Sequence, residues 1–417
     1  MVREATGTAV VDVGKTNKKL LVFSPDFKIL HEESVVIPEI TDEDGFPTED
    51  LVALTEWMKA AVHRVIADDS FNISHLNFSG YGASFVHLDA DGLPVTPLYN
   101  YLKPFPEAVQ KQFESDFGSM ESIAIQTSSP VLGNLNSGLQ VYRLMAEKPD
   151  VFNKIRWSLH LPQYLSWVFT GNPVTDLTSL GCHTMLWDLS AGHYHRWVAG
   201  AGIDRVLAPI AKSIHSVEVT IGDKNVVAGV GLHDSSAALI PYLRLNRGDF
   251  MLLSTGTWSI ALNPFNNEPL TADQLKNDCL CYLTPEGRPV KASRLFAGRM
   301  HDEGVSRIAA HYHCHPDFYK TLATVDAADE AGMAYVDLLR LLVEAHVAAL
   351  SLVSSSQIRH LYVDGGFSNN QLFMKLLANA CPQWRVFAAA VPQASAIGAA
   401  LHIIGPTALG PVELRPY

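Results

Sequence analysis

Residues 226–260 carry side chains whose types and spacing could do chemistry. An apolar run ends there in the glycine turn at 229–231 and is followed by the doublet His233-Asp234. A carboxylate that follows a buried strand can act as a general base, which accepts a proton from a reacting hydroxyl group. A second apolar run ends at 254–257, where hydroxyl groups and exposed backbone N–H groups can hold an anion. The stretch therefore predicts a base at Asp234 and a phosphate-binding turn at 254–257.

Two further turns of this kind follow apolar strands elsewhere in the chain. A strand that contains Asp12 leads through the turn at 14–17 into a second strand at 20–23, which predicts a β-hairpin. A buried aspartate is costly unless it is paired or binds a metal, and Mg²⁺ prefers oxygen ligands. The alternative for Asp12 is an ordinary aspartate that caps its own turn. A third buried strand at 360–363 ends in the turn at 364–370.

The order of the predicted elements indicates an α/β fold. The hairpin is followed by a strand at 28–37, an amphipathic helix at 48–67 and a strand at 75–79, which predicts a mixed sheet layered with helices. A helix at 137–147 is predicted in the largely helical middle of the chain. Near the end, the helix at 395–404 is rich in small residues and can pack tightly against a neighbour.

A second hairpin is predicted at 85–98, where the strands 85–89 and 93–98 flank an Asp-Gly turn. Tyr81 lies just before it and the segment 99–101 just after it. Such element ends are where α/β proteins place ligands. The alternative is that these residues only pack the loops.

Length and charge restrict the class of protein. At 417 residues, the chain predicts two domains, and the linker character of 201–222 places the boundary after Gly222. A net charge of −12 with no basic block argues against a nucleic-acid partner. No signal peptide and no transmembrane run are evident, so no membrane partner is expected. The five cysteines have no disulfide-framework spacing, which favours reduced thiols and a cytoplasmic location.

The three turns and the Asp234 segment together resemble the FGGY carbohydrate kinases of the actin/hexokinase/Hsp70 superfamily. VDVGKTN at 11–17 and LSTGTWS at 253–259 resemble that family's two phosphate loops. VDGGFSNN at 363–370, with QASAIGAAL at 393–401, resembles its adenosine segment. The resemblance covers nearly the whole chain. It implies an α/β fold of two RNase H-like (actin-like ATPase) domains with a central cleft, which we place at 1–222 and 223–417.

The resemblance also implies roles for individual residues. Asp234 corresponds to the catalytic base, and Asp12 to the carboxylate that holds Mg²⁺, so that both carboxylates lie near the metal. The residues implied in ATP binding are Gly14, Lys15, Thr16, Asn17, Thr255, Gly256, Thr257, Gly365, Gly366 and Asn370. The residues implied in sugar binding are Tyr81, Gly82, Ala83, Tyr101, Gln163 and His233. The implied cofactors are ATP and Mg²⁺.

The motifs are most similar to branches of the family that phosphorylate 6-deoxy-ketohexoses such as L-rhamnulose or L-fuculose. Tyr101 stands where the family usually has an acidic residue, Gln163 where a charged one is frequent, and Gln393 where Glu is usual. These neutral replacements leave two alternatives open, a pentulose or polyol kinase and a catalytically impaired sugar- or nucleotide-binding regulator. The expected partner is a small sugar, and a homodimer is an assembly compatible with this interpretation.

Overall fold

A computed structural model describes residues 5–211, 215–245, 248–256, 258–322, 329–405 and 412–417. The chain divides into two compact units. The first unit takes in the described residues up to Leu245, together with 281–288 and those of 392–411. The second takes in those of 246–280, 289–391 and 412–417. The units thus divide at a later residue than Gly222, and the domain limits 1–222 and 223–417 stay a prediction.

Strands and helices follow one another along the chain with these bounds. The strands are β1 (Ala5–Val13), β2 (Lys18–Phe23), β3 (Ile29–Val35), β4 (Ile40–Thr41), β5 (Pro47–Thr48), β6 (Phe71–Gly80), β7 (Phe85–Leu88), β8 (Trp157–His160), β9 (Trp187–Asp188), β10 (His193–Tyr194), β11 (Ser216–Ile221), β12 (Lys224–Gly229), β13 (Leu232–His233), β14 (Phe250–Thr255), β15 (Ser259–Asn263), β16 (Cys279–Leu283), β17 (Pro289–Leu295), β18 (His360–Gly365), β19 (Arg385–Ala390) and β20 (Glu413–Pro416). The helices are α1 (Leu51–Ala67), α2 (Glu107–Phe117), α3 (Met120–Thr127), α4 (Ser137–Glu147), α5 (Pro149–Phe152), α6 (Leu161–Thr170), α7 (Leu177–Leu180), α8 (Arg196–Gly200), α9 (Asp234–Leu243), α10 (Ala272–Lys276), α11 (Ala297–Tyr312), α12 (Glu330–Val353), α13 (Gln371–Ala380) and α14 (Ala394–Ile404).

The main sheet of the first unit has the strand order β11-β12-β6-β1-β2-β3, and β13 pairs with β6. β1 and β2 are antiparallel, which confirms the predicted hairpin. β1, β12 and β13 all run parallel to β6. Because the carboxyl ends of parallel strands meet at one edge of a sheet, β1, β6 and β13 deliver the residues that follow them to the same place.

Helix α1 packs on this sheet through an apolar stripe at helical spacing. Leu54, Met58 and Val62 are fully buried and belong to the same core cluster as Val11 and Phe78 of the sheet. The Asp50 carboxylate caps the helix by accepting a hydrogen bond of 2.9 Å from the Ala53 N–H. This satisfies a backbone donor that the first turn would otherwise leave unpaired.

Helix α14 packs closely within the first unit, as its small residues predict. A Cβ atom on Gly398 would lie 1.8 Å from the Ala237 carbonyl oxygen of α9, so only glycine permits this approach. The buried Asn77 of β6 donates a 2.8 Å hydrogen bond from Nδ2 to the Ala399 carbonyl. Its Oδ1 accepts a 3.2 Å bond from the Gly231 N–H. Asn77 thereby connects α14 to the turn that precedes Asp234.

The sheet of the second unit has the strand order β16-β17-β15-β14-β18-β19-β20. β14 is antiparallel to β15 and parallel to β18, and β18 is parallel to β19. Thr255 and Gly365 are register partners at the carboxyl ends of β14 and β18. The two predicted turns at 254–257 and 364–370 therefore emerge side by side.

The hairpin predicted at 85–98 forms only next to its turn, where the Asp89 N–H donates to the Leu93 carbonyl at 3.0 Å and the Val95 N–H to the His87 carbonyl at 2.9 Å. β7 forms, but its antiparallel partner is β8, which lies about 70 residues later in the chain. Residues 93–98 form no second strand and contribute two isolated bridges, one between Leu88 and Pro94 and one between Glu49 and Leu98. The physical reason is that Pro94 and Pro97 have no N–H groups to donate to a ladder. In the described residues, no helix combines the length and the apolar character needed to cross a membrane.

Candidate active site

The candidate site of the first unit lies at the carboxyl ends of three parallel strands. Asp12 of β1 pairs in register with Ser79 of β6, which pairs on its other side with Leu232 of β13. One step further along, Gly80 is the partner of His233. With about 4.8 Å between neighbouring strands, Asp12 and the residue after His233 leave the same edge with one strand between them. The sheet therefore brings the two predicted carboxylates, Asp12 and Asp234, together.

Asp234 is the first residue of α9, and 34% of its side chain is exposed. Its Oδ1 accepts hydrogen bonds from the Ser235 N–H at 2.6 Å and from the Ser235 hydroxyl at 3.2 Å. Burial raises the pKa of Asp234 to about 6, against the opposing effect of these two bonds. A carboxylate with such a pKa is ionised at neutral pH and is a better proton acceptor than an ordinary aspartate.

Asp12 is half-buried, and its Oδ2 accepts a 2.9 Å hydrogen bond from the Ser395 hydroxyl of α14. Burial raises the pKa of Asp12 to about 6; the Ser395 bond opposes this shift, and the charge on Asp234 adds to it. The charge on Asp234 thus resists ionisation of Asp12 while no cation lies near them.

The two carboxylates fit a magnesium site. In the part of the chain that the structure describes, no group of three or more His, Cys, Asp and Glu side chains could hold a metal. Mg²⁺ does not need such a cage, because it binds through one or two carboxylates, water and the phosphates of a substrate. The repulsion of the Asp12 charge by Asp234 is the electrostatic condition that a divalent cation relieves.

The turn after β1 has the form expected of a phosphate loop, except at Lys15. The Gly14 N–H donates a 3.0 Å hydrogen bond to the Asn17 carbonyl, and Thr16 and Asn17 are exposed. The Lys15 ammonium instead forms ion pairs with Glu39 at 2.7 Å and with Glu49 at 3.3 Å. Its side chain is thus held by carboxylates.

The predicted sugar-binding residues 81–83 follow β6 directly. Tyr81 is buried and makes an edge-to-face contact with Tyr101, with 5.9 Å between ring centres. A Cβ atom on Gly82 would lie 2.7 Å from the His233 ring and 3.0 Å from Cys182 Sγ, so a side chain is excluded there. Ala83 has a left-handed backbone conformation with φ 67°. The structure therefore brings Tyr81, Gly82, Tyr101 and His233 together beside Asp234.

Gln163 and His233 are buried and fix the chain around Asp234. Gln163 Nε2 donates a 2.8 Å hydrogen bond to the Gly231 carbonyl, while its Oε1 has no protein partner. His233 Nε2 lies 3.0 Å from Cys182 Sγ and 3.3 Å from Asp234 Oδ1. Burial lowers the pKa of His233 to about 3, so the imidazole is neutral. The buried Gln163 Oε1 and His233 Nδ1 are polar atoms without a protein hydrogen bond.

The two turns of the second unit are joined by the side chain of Thr255. Its hydroxyl donates to the Asp364 carbonyl and accepts a 3.0 Å bond from the Phe367 N–H, so this side chain has a structural role. Gly365 has φ 85°, and a Cβ atom there would lie 1.8 Å from the Thr255 carbonyl oxygen. Gly366 has open space around it, and Gly256 is exposed.

Asn370, a predicted ATP-binding residue, caps α13. Its Oδ1 accepts from the Phe373 N–H at 3.1 Å, and its Nδ2 donates to the Tyr335 hydroxyl at 2.8 Å. Together with Gly366 and Asn369 it lines a depression in the second unit, bordered also by Tyr319 and Lys320. Thr257, another residue predicted to bind ATP, lies outside the described residues.

Several residues of the site were missed by sequence reasoning. Ser395 was seen only as part of a small-residue helix, although a hydroxyl in its first turn was a usable signal. Cys182 and the pair Glu39 and Glu49 carried no local signal, because their roles depend on chain segments that meet only in the fold.

Comparison with known proteins places the chain among carbohydrate kinases. Residues 8–239 match the FGGY family of carbohydrate kinases, N-terminal domain. Residues 247–336 match the carbohydrate kinase FGGY, C-terminal domain, and residues 321–403 match the FGGY family of carbohydrate kinases, C-terminal domain. The matches cover both compact units.

Individual relatives agree with this family match. A rhamnulokinase from Pectobacterium atrosepticum is 26% identical over 259 residues, which are 57% of this chain and 48% of that protein. The chain spans about half the length of the curated relatives it matches. A solved carbohydrate kinase from Novosphingobium aromaticivorans has a TM-score of 0.82 and 25% identity, with 99% of this chain and 94% of that chain covered. A xylulose kinase from Lactobacillus acidophilus shares the fold, with a TM-score of 0.77, 15% identity, and 95% and 89% covered.

Proposed function

The chain belongs to the FGGY family of carbohydrate kinases, and we propose that it transfers the γ-phosphoryl group of ATP to a hydroxyl group of a ketose sugar. The observation that carries the proposal is the pair Asp12 and Asp234, which leave one edge of the first sheet with a single strand between them. Phosphoryl transfer needs this combination of a base and a metal-binding carboxylate, together with turns that hold phosphates.

In this mechanism Asp234 accepts the proton of the attacking sugar hydroxyl. The sugar oxygen then forms a bond to the γ-phosphorus, the bond from that phosphorus to the β,γ-bridging oxygen breaks, and ADP leaves. The Ser235 N–H holds Asp234 Oδ1 in place during proton transfer. A bound Mg²⁺, held by Asp12 with Asp234 nearby, would supply positive charge to the phosphates. The exposed turn residues Thr16, Asn17 and Gly366 would donate N–H groups to phosphate oxygens.

The proposed acceptor is a 6-deoxy-ketohexose such as L-rhamnulose or L-fuculose. The aromatic pair Tyr81 and Tyr101 supports this choice, because it offers an apolar surface to the methyl group of a 6-deoxy sugar. The neutral imidazole of His233 and the unpartnered Gln163 Oε1 are suited to sugar hydroxyl groups. The name of the curated relative from Pectobacterium atrosepticum, rhamnulokinase, points in the same direction.

A pentulose or polyol is the alternative acceptor. Tyr101 and Gln163 are neutral where charged side chains are frequent in the family, so the preferred hydroxyl pattern can differ from that of relatives. The solved xylulose kinase makes a pentulose the first alternative to test. A catalytically impaired regulator is the other alternative. A cytoplasmic location and a homodimer stay predictions from the sequence.

The test is ADP formation from ATP and Mg²⁺ with a panel of L-rhamnulose, L-fuculose, xylulose and glycerol. We expect the largest kcat/KM for one of the two 6-deoxy sugars. A larger kcat/KM for xylulose or glycerol would show that the proposed acceptor is incorrect and that the proposed kinase activity is correct. Absence of sugar-dependent ADP formation with every compound, while ADP still binds, would favour the regulator.

A further inference from the structure

The Lys15 ammonium is fixed by two carboxylates of the first unit. Lys15 follows β1 by two residues, and its Nζ lies 2.7 Å from Glu39 Oε1 and 3.3 Å from Glu49 Oε1. An ammonium group has three N–H donors, so two carboxylates leave one for a ligand. The Lys15 side chain is 28% exposed, which allows a ligand to reach it.

A buried network holds Lys15 in this position. Glu49, with 3% of its side chain exposed, also pairs with the buried Lys18 at 2.9 Å. The Lys18 ammonium donates a further 3.0 Å bond to the Lys15 carbonyl. Lys18 therefore holds both the Lys15 backbone and Glu49, the carboxylate partner of Lys15. These protein contacts fix the direction of the Lys15 side chain.

The aromatic residues of the predicted sugar site lie next to this ammonium. Lys15 Nζ lies 6.0 Å from the centre of the Tyr81 ring, which contacts Tyr101 edge to face. Burial raises the pKa of Tyr101, the Lys15 charge opposes the shift, and the Asp234 charge adds to it. The Tyr101 hydroxyl is thus within electrostatic reach of both Lys15 and the base.

We propose that Lys15 is a specificity-determining residue of the acceptor site, where its ammonium donates a hydrogen bond to a hydroxyl oxygen of the sugar. The inference rests on the proposed kinase function and deepens it. The position of Lys15 in the sequence predicts that it binds a phosphate of ATP, whereas the inference gives it a sugar hydroxyl as its ligand. It also supplies a cationic contact in a site where Tyr101 and Gln163 are neutral.

The test compares Lys15→Met and Lys15→Arg with the wild type in two separate titrations. One titration measures the binding of ADP with Mg²⁺, and the other measures the binding of the best sugar of the panel, alongside its KM. We expect Lys15→Met to weaken sugar binding about 10- to 100-fold, the usual effect of losing a hydrogen bond to a charged group, and to leave ADP binding unchanged. Lys15→Arg keeps the charge and should retain part of the sugar affinity.

The matched control is Lys28→Met, in the turn between β2 and β3 of the same unit. Lys28 is 79% exposed and pairs only with Asp26 among the described residues, so its replacement should change neither titration. Lys15→Met should fold, because Glu49 keeps its ion pair with Lys18. If its thermal midpoint falls, Lys15→Gln provides the same comparison with a polar side chain.

Two results would overturn the inference. Weaker ADP binding with unchanged sugar binding would show that Lys15 binds the nucleotide phosphates and not the sugar. Unchanged binding of both ligands would show that Lys15 only supports Glu39 and Glu49. A wild-type protein that phosphorylates no sugar contradicts the proposed function instead, and the ADP titration then still decides whether Lys15 binds the nucleotide.

Discussion

The Ser395 hydroxyl donates a 2.9 Å hydrogen bond to Asp12 Oδ2, although the two residues are 383 positions apart in the chain. This contact uses one oxygen of the carboxylate and fixes the orientation of the other. Residues that orient a metal ligand in this way tune metal affinity without touching the metal. Ser395 is therefore expected to position Asp12 for Mg²⁺.

Replacing Ser395 by Ala should weaken divalent-metal binding about 10- to 100-fold, as is typical when a partner of a metal ligand is lost. Mn²⁺ binding in the presence of ADP, followed by electron paramagnetic resonance, measures this without turnover. Ser395→Thr keeps the hydroxyl and should restore the affinity. Equal Mn²⁺ affinity in wild type and Ser395→Ala would rule out the positioning role.

Replacing Asp234 by Asn should remove the proton acceptor and leave the shape of the site. We expect kcat to fall about 10²- to 10⁴-fold, the usual contribution of a general base, while ADP still binds. Stopped-time ADP assays and a nucleotide titration measure the two quantities. An Asp234→Asn protein with near wild-type kcat would show that another group takes the proton.

The neighbouring glycines 365 and 366 offer a paired test of the nucleotide turn. Gly365→Ala places a Cβ atom 1.8 Å from the Thr255 carbonyl oxygen at a residue with φ 85°, whereas Gly366 has open space. The backbone conformation alone should cost Gly365→Ala about 1–3 kcal/mol of unfolding free energy. The Gly365→Ala variant should also bind ADP more weakly than the wild type.

Gly366→Ala is the control, and urea unfolding compares the two variants. The Gly366→Ala variant should have the same unfolding free energy as the wild type. If both variants lost the same stability, the strain assigned to Gly365 would be incorrect.

The buried His87 should make stability depend on pH. Its Nδ1 lies 2.8 Å from the Ser158 hydroxyl, and burial lowers its pKa from 6.5 to about 4. Between these two values the unfolded chain binds more protons than the folded one, so the stability contributed by His87 falls as pH drops from about 6.5 to about 4. The loss between pH 6.5 and pH 5 is on the order of 1–2 kcal/mol.

The variant His87→Asn isolates this effect, because the amide can still bond to Ser158 but does not titrate. It should be less stable than the wild type at pH 7.5, with the gap narrowing at pH 5. Asp12, Asp176 and Asp234, whose raised pKa values act in the opposite direction, titrate in both proteins and cancel in the difference. His63→Asn, at an exposed position, is the control. A gap that does not change with pH would contradict the assignment.

Local pattern was sufficient to predict much of the fold. The helix at 137–147 has the predicted bounds, and the first hairpin forms as expected, because periodicity and turn residues act over a few positions. The hairpin at 85–98 forms only next to its turn, because Pro94 and Pro97 have no N–H groups to donate to a longer ladder. β7 pairs instead with β8, a partner that no local pattern indicates.

The candidate site was predictable in its residue types and less so in its contacts. The positions of Asp12 and Asp234 at strand ends follow from the apolar runs that precede them. The hydrogen bond from Ser395 and the ion pairs of Lys15 depend on segments that meet only after the sheet has assembled. Long-range polar contacts of this kind leave no periodic trace in a sequence.

The close packing of Gly398 in α14 against Ala237 in α9 has a consequence for folding during synthesis. Helix α14 completes the first unit, yet most of the second unit is translated before it. Domains generally fold as units in the order in which they leave the ribosome. In this protein the surfaces of α9 and β6 that contact α14 stay uncovered until the ribosome has synthesised α14. The ribosome-bound intermediate with this unfilled groove is thus the species in which chaperone binding or misassembly should concentrate.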